Sequence, residues 1–324
     1  MKRIVSLLLC LALVCVAFAG CQSAGGANSS TMFRIGLVQY VEHPSLNTIR
    51  ESFMQELSDL GIADQVEVDY QNAQSDQSNL NSICQKFVGN NVDLIVAIAT
   101  PAAIAAASAT QDIPILFSAV TDPVSAKLVD SLEAPGRNVS GTSDAIPAEK
   151  ILDLALEITP EIKTVGFLYN TGEPNSVSVI NDAKEYLESK GISFTEAAVT
   201  NSSEVSQSAQ SLVGKVEAVF TPIDNTVASA MPTLAEVANG ANLPVFVGAD
   251  SMVQDGGLAT VGIDYTLLGR ETAKMAQQIK DGQNISELPV KVFSEYSVYI
   301  NETTAEEIGI TIPEDILNSA VLLK

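Results

Sequence analysis

Short apolar runs alternate with longer segments of helical periodicity along most of the chain, and the whole alternation occurs twice. In the first half, residues 33–40 (FRIGLVQY), 66–71 (VEVDYQ), 92–99 (VDLIVAIA) and 113–120 (IPILFSAV) read as strands. Residues 45–61, 75–90 and 100–111 between them read as helices. Gly61 stops the first, and the second sets Leu80, Ile83, Cys84, Phe87 and Val88 on one face. Apolar runs of this length set between helices are what parallel strands covered on both faces require. Right-handed crossovers should join them.

Between residues 163 and 247 the same order returns. Strands are predicted at 163–170 (KTVGFLYN), 192–200, 216–220 and 243–248, with helices at 173–191, 203–215 and 224–240. Individual residues fall into register 130 positions apart: Ile35-Gly36 with Val165-Gly166, Pro44 with Pro174, and Ile113-Pro114 with Leu243-Pro244. Thr100-Pro101 answers Thr221-Pro222 at a shorter offset. The chain therefore holds two copies of one α/β unit. The tail departs from the repeat, with strands at 257–264, 288–293 and 296–301, a helix at 265–282 and a short helix at 303–308. A tail of this kind can pass between two lobes. The expected fold is α/β, with two doubly wound parallel-sheet lobes and a multi-strand hinge. The lobes are expected at 32–142 plus about 264–286, and at 143–263 plus about 287–324.

The N-terminus changes where the protein is expected to work. Met1-Lys2-Arg3 precedes an apolar stretch from Ile4 to Phe18, followed by Ala19-Gly20-Cys21. A basic start, a short apolar core and small residues before a cut describe a secretory signal over residues 1–20. Such a core is too short to span a bilayer. The AGC ending resembles a bacterial lipobox, with Phe18 where leucine is more usual; an ordinary signal cut at Ala19 or Gly20 is the alternative. With Cys21 lipidated, residues 21–31 form an acylated end and a Gly/Ser/Ala tether, and two or more acyl chains, palmitate among them, give stable anchoring. The expected location is the outer face of the bacterial cytoplasmic membrane, or facing a periplasm. Cys10 and Cys15 leave with the signal, so Cys84 remains alone and no internal disulfide can form. The balance of 17 Lys+Arg against 39 Asp+Glu, net −22, argues against a nucleic-acid partner. It also leaves the lipid as the only expected membrane contact.

In open parallel sheets ligands bind beyond the carboxyl ends of the strands. The first copy places Tyr40, His43, Thr100, Thr121 and Asp122 there, and the second places Asn170, Glu173, Asn175, Thr221, Asp224, Asn225 and Asp250. Asp264 and Tyr265 follow the tail strand, and Asp144 joins the aspartates that could receive an ammonium. These ends are rich in Asp, Asn, Thr and Tyr and nearly empty of Lys, Arg and Cys. That composition suits a small polar or zwitterionic molecule. Thr100 is placed as a helix N-cap with Pro101 as the first helical residue, and the free N–H groups behind it form a site for a carboxylate. Thr221-Pro222 is expected to repeat that cap across the cleft.

No G-x-S-x-G, Walker loop, H-E-x-x-H or C-x-x-C occurs. One histidine, His43, and one mature cysteine cannot build a His/Cys metal cluster. No enzyme activity, catalytic residue, metal or cofactor is therefore expected.

The segments YVEHPSLN, ATPAAIAAA, FSAVTDPVSAKLV, PGRNVSGTSD, LYNTGEPNS, TPIDNTVAS and DGGLATVGIDYTLLG resemble, in order, the tryptophan/tyrosine-type family of ABC-transporter substrate-binding proteins. The resemblance implies the type I periplasmic-binding-protein fold, with three crossovers and the ligand held between two lobes. It implies a monomer that captures an aromatic amino acid and presents it to an ABC permease and its ATPase. Tyr40 to His43 and Thr100-Pro101 would line one wall, with Thr121-Asp122 near the crossover and Ser143-Asp144 just past it. Asn170, Asn175, Asp224 and Asn225 would line the other, and Asp250, Asp264 and Tyr265 would complete the site. Arg137 and Asn47 depart from the family pattern, where glycine and aspartate are common. A nucleoside or sugar ligand in the same fold, and a surface lipoprotein acting as adhesin or sensor subunit, are the alternatives. The lack of tryptophan weighs against a sugar site.

Overall fold

The computed structural model describes residues 32–323; the expected signal segment, Cys21 and the tether lie outside the described residues. The first copy builds β1 (Phe33–Gln39), α1 (Pro44–Asp59), β2 (Val66–Asn72), α2 (Gln77–Gly89), β3 (Leu94–Ile98), α3 (Thr100–Ala109), β4 (Ile115–Ser118) and β5 (Val139–Ser143). The second builds α4 (Ala148–Ile158), β6 (Thr164–Asn170), α5 (Pro174–Lys190), β7 (Ser193–Val199), α6 (Val205–Leu212) and β8 (Ala218–Thr221). It continues through α7 (Asn225–Ala228), α8 (Met231–Asn239), β9 (Val245–Val247), α9 (Asp250–Gln254) and β10 (Ala259–Gly262). The tail adds α10 (Tyr265–Lys280), β11 (Lys291–Val292), β12 (Ser297–Asn301), α11 (Glu302–Glu307), α12 (Glu314–Ser319) and β13 (Val321–Leu323).

Two sheets result. The first runs β11-β5-β4-β3-β1-β2 with every pairing parallel. The second runs β13-β12-β10-β9-β8-β6-β7, parallel except for the antiparallel β10–β12 pair. Strands such as Leu94–Ile98, buried along their whole length, need helices on both faces. On one side of the first sheet α1 buries Leu46, Ile49, Phe53 and Leu57 at helical spacing. Elsewhere α2 buries Leu80, Cys84 and Phe87. A Cβ on Gly36 would stand 2.5 Å from the Phe87 ring, so β1 accepts that helix only because it carries a glycine there.

The duplication read from the sequence is physical. Pro44 and Pro174 both open a helix, at the start of α1 and of α5. Pro114 and Pro244 each accept a 2.9 Å backbone bond, from Ile95 and Val219 respectively, at the foot of β4 and β9. Gly166, the partner of Gly36, meets Leu212 as Gly36 meets Phe87.

The chain crosses between the sheets after β5, between β10 and α10, and between β11 and β12. After the first crossing, α4 packs on α5, β9 and β10; after the second, α10 returns to pack on α1, β4 and β5. Lys291 and Val292 pair with Thr142 and Ser143, so the first sheet reclaims chain beyond the boundary expected near residue 286. Other details differ from the pattern reading. Residues 224–240 form two helices rather than one, because Pro232 sits in the first turn of α8 and cannot continue α7. Strand β5 and helix α4 have no counterpart in that reading.

Candidate binding cleft

The carboxyl ends of the two sheets meet, and three side-chain hydrogen bonds join them. His43 Nε2 lies 3.3 Å from Asn225 Oδ1, Ser45 Oγ lies 2.6 Å from Ser251 Oγ, and Ser178 Oγ donates to Asp122 Oδ2 at 3.0 Å. The lobes are therefore closed on one another. Because the crossings lie at the β5 and β10 side, the strand orders lay the cleft out from hinge to far end: β5 and β10, then β4 and β9, then β3 and β8, then β1 and β6.

At the far end Glu173 is buried at the N-terminus of α5, and its carboxylate collects four donors. Asn225 gives its backbone N–H (3.1 Å) and Nδ2 (2.6 Å), and Thr226 gives its N–H (2.9 Å) and Oγ1 (2.7 Å). Asp224 caps α7 through Val227 N (2.8 Å) and holds Asn170 N (2.6 Å). Burial, then the neighbouring Asp224, pushes Glu173 up to about 7; burial likewise raises Asp224. Tyr40 is buried beside them, and its hydroxyl is raised by burial and by Glu173 and Asp224. Asn170 holds Thr226 Oγ1 through Nδ2 and Gly172 N through Oδ1.

Thr100 and Thr221 occupy the middle, both buried. The structure corrects the expectation that each caps a helix. The N-cap of α3 is Ala99, whose φ of +81 starts the helix one residue early, with Thr100 already inside it and Pro101 following in its first turn. After β8 the helix begins only at Asn225 and is capped by Asp224. Neither threonine hydroxyl has a hydrogen-bond partner among the described residues. The first turn of α3 still presents unpaired backbone N–H groups in the cleft, as every helix start does.

At the hinge end Thr121 Oγ1 donates to Asp144 Oδ1 at 2.9 Å. Ser143 Oγ is spent on Thr121 O and Ala145 N, shaping the crossing chain. Tyr265, at the start of α10, is buried, and the charges of Asp144 and Asp250 both act on its hydroxyl. Burial pushes Asp144 up to about 6 and raises Asp250, and no cationic side chain among the described residues offsets either carboxylate. Asp264 is exposed, caps α10 through Thr266 N, and lines a hinge cavity of about 380 Å³ with Phe293 and Tyr299, while its charge adds to the rise of Asp250. Asp122 spends its carboxylate on Ser125 N and the lobe-bridging Ser178, beside a cavity of about 460 Å³ between the lobes.

Seven buried side-chain atoms have no hydrogen-bond partner among the described residues, and five of them cluster at these strand ends: His43 Nδ1, Thr100 Oγ1, Asn175 Oδ1, Thr221 Oγ1 and Tyr265 OH. Buried polar groups in folded proteins nearly always find a partner, so such a cluster marks a place where a small polar molecule completes the bonding. Thr221 and Glu173 stand outside the ligand set expected from the sequence, although the strand-end rule points at both.

A family model described as ABC transporter substrate binding protein matches residues 34–324. The chain is 40% identical over 314 residues to a tyrosine-binding protein of Clostridioides difficile, covering 94% of this chain and 91% of that one. The structure of an ABC domain in complex with L-Trp from Streptococcus pneumonia is similar at a TM-score of 0.88 and 40% identity, covering 91% of this chain and all of that one. The ligand-free, open structure of a substrate-binding protein with adhesive properties from Clostridium difficile is also 40% identical, covers 90% of this chain and 99% of that one, and has a TM-score of 0.69. The same identity with poorer superposition on an open form agrees with lobes that are closed here.

Proposed function

This chain belongs to the ABC transporter substrate-binding protein family, and from that premise we propose that its cleft captures a free aromatic amino acid, tryptophan or tyrosine. As an extracytoplasmic solute-binding protein, and not an enzyme, it serves an ABC importer whose permease reads the closed form and whose ATPase drives transport. The observation that carries the ligand reading is the cluster of five buried, unpartnered polar atoms between closed lobes, with two uncompensated carboxylates at its hinge end. Asp144 and Asp250 suit an α-ammonium. Thr100, Thr221 and the N-terminus of α3 suit an α-carboxylate. A sugar carries no positive charge to offset the two aspartates, and an amino acid does.

Closure supplies the affinity. Water leaves as the lobes meet, and each contact to the ligand then acts at low dielectric. The anchor belongs to the same proposal: a lipidated Cys21 and the tether to residue 31 hold the protein beside its permease, and Cys21→Ser should move it from the membrane fraction to the medium or periplasm.

Thermal unfolding with a panel of free amino acids tests the ligand reading. A saturating ligand at about 100 times its dissociation constant stabilises the folded form by roughly 2.7 kcal/mol. L-tryptophan or L-tyrosine should raise the melting temperature where pentoses and hexoses do not. A melting temperature unmoved by all twenty amino acids rejects it.

A further inference from the structure

The bonding of Asn225 fixes the chemistry of His43. Both oxygens of Glu173 are taken by backbone N–H groups, from Asn225 and Thr226, and Asn225 Nδ2 donates to the same carboxylate at 2.6 Å. A carboxylate that already accepts from two backbone N–H groups and the Thr226 hydroxyl is an acceptor site, so the amide nitrogen of Asn225 faces Glu173 and its oxygen faces away. That oxygen stands 3.3 Å from His43 Nε2. An amide oxygen only accepts, so His43 must carry its proton on Nε2. Burial holds His43 down at about 4, against the opposing hydrogen bond to Asn225, so the ring is neutral at neutral pH. Nδ1 is then a bare lone pair.

That lone pair is unserved by the protein. His43 is 7% exposed, and Nδ1 has no partner among the described residues. It does not cap α1 either, although His43 is the N-cap residue of that helix. A second acceptor lies at the same end of the cleft: Asn175 donates from Nδ2 to Ile223 O at 2.7 Å, which leaves its buried Oδ1 able only to accept. The cleft is thus chemically graded. Carboxylates free to take an ammonium lie at the β5/β10 end, hydroxyls in the middle, and unserved acceptors at the β1/β6 end. Three strand spacings separate the two ends, about 14 Å, which an amino acid with an extended ring side chain spans with a hydrogen bond at each end.

We propose that His43 Nδ1 accepts a hydrogen bond from the ring of the bound amino acid, the indole N–H of tryptophan or the phenol O–H of tyrosine, and thereby discriminates against phenylalanine. This rests on the aromatic-amino-acid reading of the cleft and sharpens it into a requirement for a ring donor. Phenylalanine fills the same space but leaves a desolvated lone pair without a donor. A buried polar atom left unmatched costs enough to weaken binding roughly ten- to hundred-fold.

Calorimetric titration of tyrosine, tryptophan and phenylalanine into the mature protein, produced without a polyhistidine tag, tests this. The tighter of tyrosine and tryptophan should bind roughly ten- to hundred-fold better than phenylalanine, and in His43→Leu the gap between tyrosine and phenylalanine should close to within about threefold. A second measurement does not depend on any variant folding. The chain has one histidine, so the imidazole nitrogen spectrum of the ¹⁵N-labelled protein comes from His43 alone. It should report the neutral Nε2–H form at pH 7, with the Nδ1 resonance moving on addition of tyrosine or tryptophan and staying in place with phenylalanine. Equal affinity for phenylalanine, an Nδ1–H ring, or a gap that survives His43→Leu overturns the proposal while leaving the aromatic reading intact. Failure of all three amino acids to bind overturns the aromatic reading, and this inference with it.

Discussion

Ser45 and Ser251 share a 2.6 Å hydrogen bond although 206 residues separate them in the chain, and both are buried where α1 of one lobe meets α9 of the other. The bond exists only with the lobes closed, so it stabilises the closed form relative to the open one. Ser45→Ala should remove a contribution of about 0.5–1.5 kcal/mol and leave Ser251 unmatched. Ligand affinity is expected to fall about two- to twelve-fold, with the radius of gyration of the ligand-bound protein by X-ray scattering shifted toward an open value. The double variant Ser45→Ala/Ser251→Ala should lose less than the sum of the two single losses.

Thr100 and Thr221 lend themselves to a test that separates folding from binding. Their hydroxyls are buried without partners, so Thr100→Val and Thr221→Val take nothing from the fold that a hydrogen bond supplied. Urea unfolding of the ligand-free variants should show no loss of stability. The same variants are expected to bind ligand about ten- to a hundred-fold more weakly, the range for a hydrogen bond to a charged group. A variant that loses stability and affinity together would assign the hydroxyl to the fold instead.

Stability should depend on pH in opposite senses for the carboxylates of the cleft and for its histidine. Glu173 is raised from 4.5 to about 7 and Asp144 from 3.8 to about 6, chiefly by burial. A raised group contributes stability that is fully present below its unfolded value and is lost as pH rises through its folded value. His43 runs the other way, lowered from 6.5 to about 4 by burial. Its contribution is present above pH 6.5 and is lost as pH falls toward 4. Comparing the protein with His43→Gln isolates that part. The stability difference between them should grow in favour of the native protein from pH 4 to pH 6.5, by about 3 kcal/mol at most, and stay constant above. Calorimetric unfolding across pH 4–8 measures it.

Gly269 lies where α10 packs tightly on α1. A Cβ there would lie 2.1 Å from Ser52 Oγ and 2.3 Å from the Ile49 carbonyl. The carbonyl belongs to the helix backbone and cannot rotate away, so Gly269→Ala must push the two helices apart. Overpacking of this kind costs about 1–3 kcal/mol. Urea unfolding should show that loss, and Tyr265, one turn upstream on the same helix, should make ligand affinity fall with it.

Where the sequence was legible, burial was achieved with carbon. Leu94 to Ile98 announces a strand because a parallel strand covered on both faces needs apolar side chains throughout. Strand β5, Val139–Ser143, is equally buried but is built from small and hydroxylated residues. Its burial is satisfied by hydrogen bonds that no periodicity reveals. Thr142, Ser118 and Thr272 form a triangle of hydroxyl contacts at 3.0–3.1 Å, and Ser140 Oγ donates to Leu288 O at 2.7 Å. Gly141 adds a second hidden constraint, since a Cβ would lie 2.0 Å from the Phe117 carbonyl.

The candidate site shows the same division. The rule of strand ends locates His43, Thr100, Asn175 and Tyr265, because position along a strand is written in the sequence. Their bonding is not. Thr100 fails to cap α3 because Ala99 turns to positive φ, a choice made by the backbone. The pairing of His43 with Asn225 joins residues 182 positions apart, and it exists only once two lobes are closed. Asp264, a neighbour of Tyr265 in the chain, is exposed and spends its carboxylate on a helix cap.

The return of α10 and β11 to the first lobe sets an order of assembly during synthesis. The helix that covers β4 and β5, and the strand that completes that sheet's edge, are made only after every strand of the second lobe from β6 to β10. The half that begins first therefore finishes late, and cutting the chain between the two repeats yields one fragment lacking a helix of its core. Neither repeat by itself carries every element of its lobe, and a ribosome must deliver about nine-tenths of this chain before either lobe is whole.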